Sequence, residues 1–351
     1  MQQNEHKFPF AWYLRDGYPA KGITYHGKRV FGTFICGGGS SMGYKLAGYE
    51  HLGGVELDPT VADVYKTNHH PKYLYNMDIR DFNAKTDLPS DLFDLDLLDG
   101  SPPCSTFSSV GSREAAWGKE KQFSEGQKFQ SLDDLVFIYC DTIKKLMPKV
   151  CLLENVSGLA KGNAKVYLKN IIKRITDIGY APQIFLLNAA TMGVPQRRER
   201  IFVIGLRKDF NLPKLQMKFN ENPIIFAEVI DRDDQRRTLS QYQIKLWEKR
   251  TKKDFSFGDI IERLEKRCSM FSNPIFHTDR VAFTITSRSG VNCLYDIPRN
   301  LNQRELCKIG TYPLDYNFKG KQPQWYIGMS VPPVMTAQIA HQIYLQWLSK
   351  I

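Results

Sequence analysis

The stretch RVFGTFICGGGSSMGYKLA, residues 29–47, decides the fold. It opens with a strand-like run over Arg29–Phe34, passes through three consecutive glycines at Gly37–Gly39, and enters a helix-like segment over Met42–Ala47. This order of strand, tight turn and helix predicts a β–α unit. Because glycine has no side chain to keep a ligand away, the backbone amides of the turn are expected to approach a bound molecule closely.

The same alternation continues on the C-terminal side of this unit. Further strands are predicted over His51–Glu56, Tyr73–Met77, Leu92–Leu98, Val150–Leu153, Gln183–Asn188 and Arg200–Gly205, and helices over Thr60–Thr67, Leu135–Met147 and Val166–Ile178. Strands that alternate with helices predict an α/β fold whose parallel sheet is covered on both faces. Ligands in such folds collect at the carboxyl ends of the strands.

The sequence changes character after about residue 208, where polar, irregular sequence runs to about residue 300. We predict a first domain of residues 1–208 completed by residues from about 325 to 351, a smaller irregular domain over about 209–300, and a connection over about 301–324. The last segment, Met335–Ser349, has apolar residues near helical spacing. It is therefore predicted to be an amphipathic helix that packs back on the first domain.

Composition narrows the class of protein. A chain of 351 residues with 42% hydrophobic residues can bury a sizeable core, and a net charge of +11 favours a polyanionic partner. Seven cysteines without a CxxC pair argue against a disulfide framework and against a zinc site, so we expect reduced thiols and no metal. The N-terminus does not resemble a signal peptide, and no apolar run approaches the length of a membrane span. We therefore expect a cytoplasmic protein without membrane contact.

Two predicted strands end in residues with the potential for covalent and proton-transfer chemistry. Cys104 follows Pro102 and Pro103 directly after the strand Leu92–Leu98, and Glu154 follows the strand Val150–Leu153. An isolated cysteine is usually an inert, small apolar residue. The prolines fix the backbone here, however, and the strand end directs the thiol into the crevice, so Cys104 is a candidate nucleophile with Glu154 on the same edge of the sheet.

Two further groups of polar residues accompany these. Glu56 ends the strand after the glycine turn, where an acid can accept hydrogen bonds from ribose hydroxyls. Dehydrogenases use a similar layout, but their GxGxxG fingerprint is absent because the glycines fall at 37, 38, 39 and 43. In the run QRRER, strand alternation places Gln196, Arg198 and Arg200 on one side and the residues between them on the other.

Taken in order, these features resemble the cytosine-5 DNA methyltransferase family, in particular its bacterial and phage members. The resemblance lies in FICGGGSSMGYKLAG (34–48), GSPPCSTFS (100–108), ENVSGL (154–159), NAATMGVPQRRERIFVIGLR (188–207), RNLNQRELCKIGTYP (299–313) and IGMSVPP (327–333). Three positions depart from the family pattern: Cys36 and Ser101 stand where glycine is usual, and Met329 where asparagine is usual.

The resemblance implies a Rossmann-like sheet with a target-recognition domain over about 209–300, and methyl transfer from S-adenosylmethionine to carbon 5 of a flipped cytosine, leaving S-adenosylhomocysteine. Its implied catalytic residues are Cys104, Glu154, Arg198 and Arg200. Its implied cofactor-binding residues are Phe34, Gly37, Gly38, Gly39, Glu56, Leu57, Asp78, Ile79, Pro102 and Ser330. The loop from Ser105 to about Gly126 would close over the flipped base.

The implied partner is double-stranded DNA, bound by a monomer without a stable protein partner. The sequence leaves open whether the enzyme accompanies a restriction endonuclease in a restriction–modification system or is an orphan enzyme of a bacterium or phage. An RNA cytosine-5 methyltransferase of the same fold is the alternative, although about 90 residues of recognition segment favour DNA. An inactive DNA-binding relative would lack Cys104 or Glu154, and a methyltransferase of exocyclic amino groups would carry Pro-Pro-aromatic instead of Pro-Pro-Cys.

Overall fold

The computed structural model describes residues 6–103, 134–162, 164–234, 236, 238–266, 273–288, 290 and 292–351. Contacts divide the chain into two compact units. The sheet unit takes its described residues from 18–188, 199–218 and 336–351, and the second unit takes its described residues from those up to 17, 189–198 and 219–335. These divisions differ from the sequence-based boundaries near 208, 300 and 324, and the roles assigned to those segments stay predictions.

The sheet unit is built on seven strands in the order β3-β2-β1-β4-β5-β7-β6. The strands are β1 (Arg29–Thr33), β2 (Glu50–Glu56), β3 (Tyr73–Asn76), β4 (Leu97–Gly100), β5 (Val150–Val156), β6 (Tyr180–Asn188) and β7 (Glu199–Arg207). Strand order reverses between β1 and β4, which pair in parallel. Ligands of α/β sheets bind in the crevice at the carboxyl ends of the strands at such a point.

Helices connect these strands. They are α1 (Gly39–Leu46), α2 (Pro59–His69), α3 (Ile79–Ala84), α4 (Leu135–Leu146) and α5 (Ala164–Ile178). Helix α5 shows why they pack: Leu168, Ile171 and Ile175 recur at three- and four-residue spacing and are buried in the core beside the strands. Each such side chain contributes about 1.5–3 kcal/mol through burial. The predicted α/β fold is confirmed.

Three details differ from the sequence-based expectation. Strand β7 runs antiparallel to both of its neighbours, β5 and β6, so the prediction of a parallel sheet was wrong for this edge. The apolar run Leu92–Leu98 is divided between a short 3₁₀ turn over Ser90–Phe93 and β4, because an apolar run signals burial without specifying strand or turn.

The third difference is the final helix, α10 (Pro333–Gln346). Its first eight residues are all buried, so it is not the amphipathic helix that was predicted. From Thr336 onward it belongs to the sheet unit, where the Tyr49 hydroxyl donates to the Ala340 carbonyl at 2.8 Å and His26 stacks on Tyr344.

The second unit contains shorter elements. They are α6 (Gln241–Glu248), α7 (Phe257–Glu265), β8 (Ile275–Phe276), β9 (Cys293–Leu294), α8 (Gln303–Gly310) and α9 (Pro323–Met329). A small core forms where Phe257 and Ile260 of α7 pack with Ile275. A buried bidentate ion pair, with both Arg299–Glu305 distances at 2.8 Å, joins α8 to the segment before it. Within the described part of the chain, no helix has the length and apolar character needed to cross a membrane.

Candidate active site

The glycine-rich turn after β1 has a strained backbone. Phe34 and Cys36 both have positive φ angles, of 56° and 47°, and Gly38 follows at 76°. Non-glycine residues rarely adopt this region, and it is found where surrounding structure fixes the backbone. The turn ends at Gly39, the first residue of α1, so the amides at the helix start face the crevice end of the sheet.

Helix α2 packs against the glycine-rich turn. His69 Nε2 lies 3.4 Å from the carbonyl oxygen of Gly37, and the His69 ring stacks on Tyr65 at 4.3 Å. A Cβ atom at Gly38 would lie 2.2 Å from His69 Nε2, so this position requires glycine by space as well as by backbone angle. Burial lowers the pKa of His69 well below its usual value, which keeps the ring neutral against the loop.

Glu56, at the carboxyl end of β2, is bound to the same turn. Its Oε2 accepts the amide of Cys36 at 2.9 Å, and its Oε1 accepts the amide of Asp58 at 3.1 Å. Desolvation raises the pKa of Glu56, and these amide hydrogen bonds oppose the rise. A carboxylate has about four acceptor positions. The Leu57 amide is a third backbone partner, so the remaining acceptor capacity suits a hydroxyl group of a ligand.

The next strand end supplies an acid and an apolar contact. Asp78 caps α3 by accepting the Arg80 amide at 2.8 Å and also pairs with the Arg80 guanidinium. Ile79 is buried, and the half-buried Phe34 packs against the cluster that Ile79 forms with Leu135. The carboxyl ends of β1, β2 and β3, which lie along one edge of the sheet, therefore supply Phe34, Glu56, Asp78 and Ile79.

The β4 end leads toward the candidate nucleophile. Pro102 is buried, and its carbonyl lies 3.4 Å from Asn155 Nδ2, which connects the Pro-Pro segment to the end of β5. Cys104 and the loop from Ser105 to about Gly126 lie outside the described residues. Burial raises the pKa of Cys140, Cys293 and Cys307 to about 12, so these three thiols are poor nucleophiles at neutral pH.

Glu154 forms an ion pair with Arg200 across the adjacent strands β5 and β7. Arg200 Nε lies 3.0 Å from Glu154 Oε1, and the two side chains are 16% and 12% exposed. Burial lowers the pKa of Arg200 and the charge of Glu154 opposes this, but an arginine remains charged in any case. The pair fixes Glu154 at the carboxyl end of β5, one strand from the end of β4.

Sequence reasoning missed a second buried acid, Asp99 in β4. The Tyr44 hydroxyl donates to Asp99 Oδ1 at 3.2 Å. Burial raises the pKa of Asp99 to about 7; the Tyr44 bond lowers it, and the charge of Glu154 raises it further. The available signal was an acid directly after the apolar pair Leu97-Leu98 at the end of the predicted strand.

Arg198 and Ser330 belong to the second unit, unlike the other candidates in the described residues. Arg198 is 1% exposed and donates to the carbonyls of Ile285 and Gly328 at 3.0 and 2.8 Å. Ser330 Oγ lies 2.6 Å from the Tyr312 hydroxyl. As predicted from alternation, Gln196 and Arg198 are buried while Arg197 and Glu199 are exposed.

Known proteins with similar sequences and folds point to one family. The family model for C-5 cytosine-specific DNA methylase matches residues 29–345. The chain is 26% identical over 354 residues to the Type II methyltransferase M.NgoPII of Neisseria gonorrhoeae, covering 91% of this chain and 96% of that protein.

Two solved structures support the fold. A prophage-encoded E. coli protein described as a DNA modification methyltransferase superposes with a TM-score of 0.64 at 18% identity, covering 91% of this chain and 99% of that one. A DNMT2 mutant from Spodoptera frugiperda superposes with a TM-score of 0.58 at 15% identity, covering 90% and 99%. Because the family model spans most of the sequence, this chain belongs to the C-5 cytosine-specific DNA methylase family and is a DNA cytosine-5 methyltransferase.

Proposed function

We propose that this enzyme methylates carbon 5 of a flipped cytosine in a specific duplex sequence, with S-adenosylmethionine as methyl donor and Cys104 as nucleophile. The observation that carries the proposal is the Glu154–Arg200 pair. It holds a carboxyl group at the end of β5, beside β4, whose chain continues through Pro102 to Cys104. A nucleophile and a proton-carrying group on adjacent strand ends are the two groups that this chemistry requires.

The reaction needs a nucleophile because carbon 5 of cytosine is too weak a nucleophile to take a methyl group directly. Addition of the Cys104 thiolate to carbon 6 gives carbon 5 enamine character. After methyl transfer, loss of the carbon 5 proton and expulsion of the thiolate restore the aromatic ring. Cys104 is favoured over the described cysteines Cys140, Cys293 and Cys307 because burial holds those three as thiols.

Glu154 is proposed to hold or share a proton with N3 of the cytosine, which relieves negative charge as the thiolate adds. Arg200 orients the carboxyl group and favours its charged form. The buried Asp99 lies near enough that the charge of Glu154 helps to raise the pKa of Asp99, so the two carboxyl groups disfavour each other's ionisation. Asn155 holds the Pro102 carbonyl and thereby the start of the nucleophile loop.

The residues at the ends of β1, β2 and β3 fit S-adenosylmethionine, which supplies the methyl group when bound. Glu56 keeps acceptor capacity for a ribose hydroxyl, and Asp78 lies where an acid can accept a hydrogen bond from the adenine amino group. The apolar contact between Phe34 and the Ile79 cluster offers a surface for the adenine ring. We also assign Gly37, Gly38, Gly39, Leu57, Pro102 and Ser330 to this site, on the family resemblance.

Stacked duplex DNA does not expose carbon 6, so the target base must be flipped. We propose that residues of about 209–300 recognise the sequence and that the loop from Ser105 to about Gly126 closes over the base. Arg198 binds the carbonyls of Ile285 and Gly328. We therefore assign it to holding those segments, while Arg200 holds Glu154.

The test is transfer of a labelled methyl group to duplex DNA and, in parallel, to transfer RNA, followed by nucleoside mass spectrometry. We expect 5-methylcytosine in DNA, at one sequence, and none in RNA. Bisulfite sequencing of DNA from expressing cells then gives the recognition site, and a matching restriction activity in the source would establish a restriction–modification pair. Methylation of transfer RNA alone would overturn the proposal in favour of an RNA enzyme.

A further inference from the structure

The second unit carries a row of aromatic and cationic side chains that the reaction does not use. Phe255 is 38% exposed, and its ring meets the half-buried ring of Phe283 edge to face at 5.9 Å. The guanidinium carbon of Arg280 lies 4.8 Å from the centre of the Phe255 ring, and that of Arg197 lies 5.1 Å from the centre of the Phe283 ring. We call Arg197, Phe283, Phe255 and Arg280 the Arg–Phe row.

Backbone hydrogen bonds fix the residues that carry the two cations. The Arg197 amide donates to the Ala282 carbonyl at 2.9 Å, and the Arg280 carbonyl accepts the Phe226 amide at 2.7 Å. The rings are supported from within the unit, because Phe283 contacts Phe276 and Phe255 contacts His277. The guanidinium groups are therefore presented from a rigid base at low entropic cost.

The donors of these guanidinium groups are available. Arg197 is exposed, and among the described residues no hydrogen bond or ion pair to its guanidinium is found. Arg280 has an ion pair with the exposed Asp279 at 3.6 Å, a long contact that solvent screens. Stacking on an aromatic ring occupies the faces of a guanidinium and leaves its in-plane N–H groups for bidentate contacts.

We propose that the Arg–Phe row reads base edges in the major groove of duplex DNA, with Arg197 and Arg280 each contacting a guanine and Phe255 contacting the carbon 5 side of a neighbouring pyrimidine. The proposal rests on the function proposed above and names the residues that set its sequence preference. Positive charge with free donors is complementary to DNA, and arginine with guanine O6 and N7 is the commonest specific contact.

The exposed ring between the cations favours base edges over phosphates. A phosphate offers no apolar group to Phe255, whereas the major groove presents the methyl group of thymine and the carbon 5 edge of cytosine. The three centroid distances of the row add to 15.8 Å, an upper limit on the separation of the two guanidinium carbons. That length covers fewer than about five base steps of roughly 3.4 Å, so one recognition site can contact both.

The test is a methylation profile on duplexes in which the bases around a cytosine are randomised, read by bisulfite sequencing. Wild type is compared with Arg197→Ala, Arg280→Ala and Arg280→Lys. Arg236→Ala is the matched control, because this exposed arginine of the same unit pairs with Asp234 and also removes one positive charge. Thermal unfolding and S-adenosylmethionine binding establish that each variant is folded.

We expect each Arg→Ala variant to lose about tenfold or more of the preference for guanine at one position, a different position for each. Arg280→Lys should lose the same preference, since lysine keeps the charge and lacks the planar pair of N–H donors that contacts guanine O6 and N7 together. An unchanged profile with uniformly slower methylation, or full rescue by lysine, would overturn base reading. If the wild-type enzyme methylates no duplex, the proposed function is wrong. This result is distinct from a failure of base reading, because it is seen with the wild-type enzyme alone.

Discussion

Arg200 and Glu154 meet diagonally across two antiparallel strands, with Arg200 Nε 3.0 Å from Glu154 Oε1. Arg200 stands opposite Val156 in the register, two residues beyond Glu154, which is the diagonal arrangement that long side chains can span. Both side chains are largely buried. The position of the carboxyl group therefore depends on a partner from a strand that runs in the opposite direction.

Replacing Glu154 by Gln should slow methyl transfer by about 10²–10⁴-fold, the usual contribution of a positioned acid or base. Gln keeps the shape and can accept a hydrogen bond from Arg200, so DNA binding and folding should be retained. Single-turnover methylation with excess enzyme measures this step directly. A Glu154→Gln enzyme that methylates at the wild-type rate would remove Glu154 from the proton transfer.

A duplex carrying 5-fluorocytosine at the target should trap the enzyme covalently through Cys104, because fluorine cannot leave carbon 5 as a cation. The trap should require S-adenosylmethionine, since methyl transfer precedes the blocked elimination. Cys104→Ser should abolish the adduct on a denaturing gel and still bind DNA. Cys36→Ser, Cys140→Ser and Cys151→Ser should keep it. An undiminished adduct with Cys104→Ser would disprove the mechanism.

Replacing Glu56 by Ala should weaken S-adenosylmethionine binding by about 1–3 kcal/mol, the scale of lost hydrogen bonds to a charged group. The variant also releases the amides of Cys36 and Asp58 that shape the turn. Calorimetric titration measures the affinity. The control is Glu50→Ala, an exposed glutamate at the opposite end of the same strand, which should bind as wild type. Equal affinity in both variants would contradict the assignment.

Asp99 should make the protein less stable as pH rises through the weakly acidic range. Burial raises its pKa to about 7, while an unfolded aspartate titrates near about 3.9. Between about pH 4 and pH 7 the unfolded chain releases this proton and the folded chain keeps it, so the free energy of unfolding falls and then levels. Asp99→Asn removes this dependence.

The difference in unfolding free energy between Asp99→Asn and wild type should therefore shift in favour of the variant from about pH 4 to about pH 7. Urea unfolding at a series of pH values measures it. Tyr44→Phe, which removes only the donor to Asp99 Oδ1, should keep a pH-dependent profile. A variant difference that does not change with pH would show that Asp99 titrates normally.

The sheet and its strand-end acids could be predicted because buried strands and the glycine turns that end them leave their signals in short stretches of sequence. The glycine turn and the acids Glu56 and Asp78 follow from short stretches of sequence. The reversed direction of β7 could not be predicted, since side chains alternate identically in parallel and antiparallel strands. Helix α10 was misjudged for a related reason: near-helical spacing on one face does not reveal that the other faces are buried as well.

The candidate site shows the same division. Alternation correctly separated Arg198 from Arg197, but it grouped Arg198 with Arg200, whose partners differ. A guanidinium reaches several ångströms from its backbone, so its partner is set by tertiary packing that spacing does not encode. Asp99 was missed because a strand-end acid is usually solvated, whereas this one is buried and accepts a hydrogen bond from Tyr44, which lies far away in the sequence.

Arg197 and Arg198 are neighbours in the chain with opposite surroundings: one exposed beside Phe283, the other buried against two carbonyls. A point mutation at position 197 changes the outer surface and leaves the inner anchor in place. Single substitutions at position 197 can therefore change the exposed side chain during evolution while the buried contacts of Arg198 stay the same. A one-residue insertion before Arg198 would instead exchange the two environments, so substitution, rather than a change of length, is the open evolutionary route.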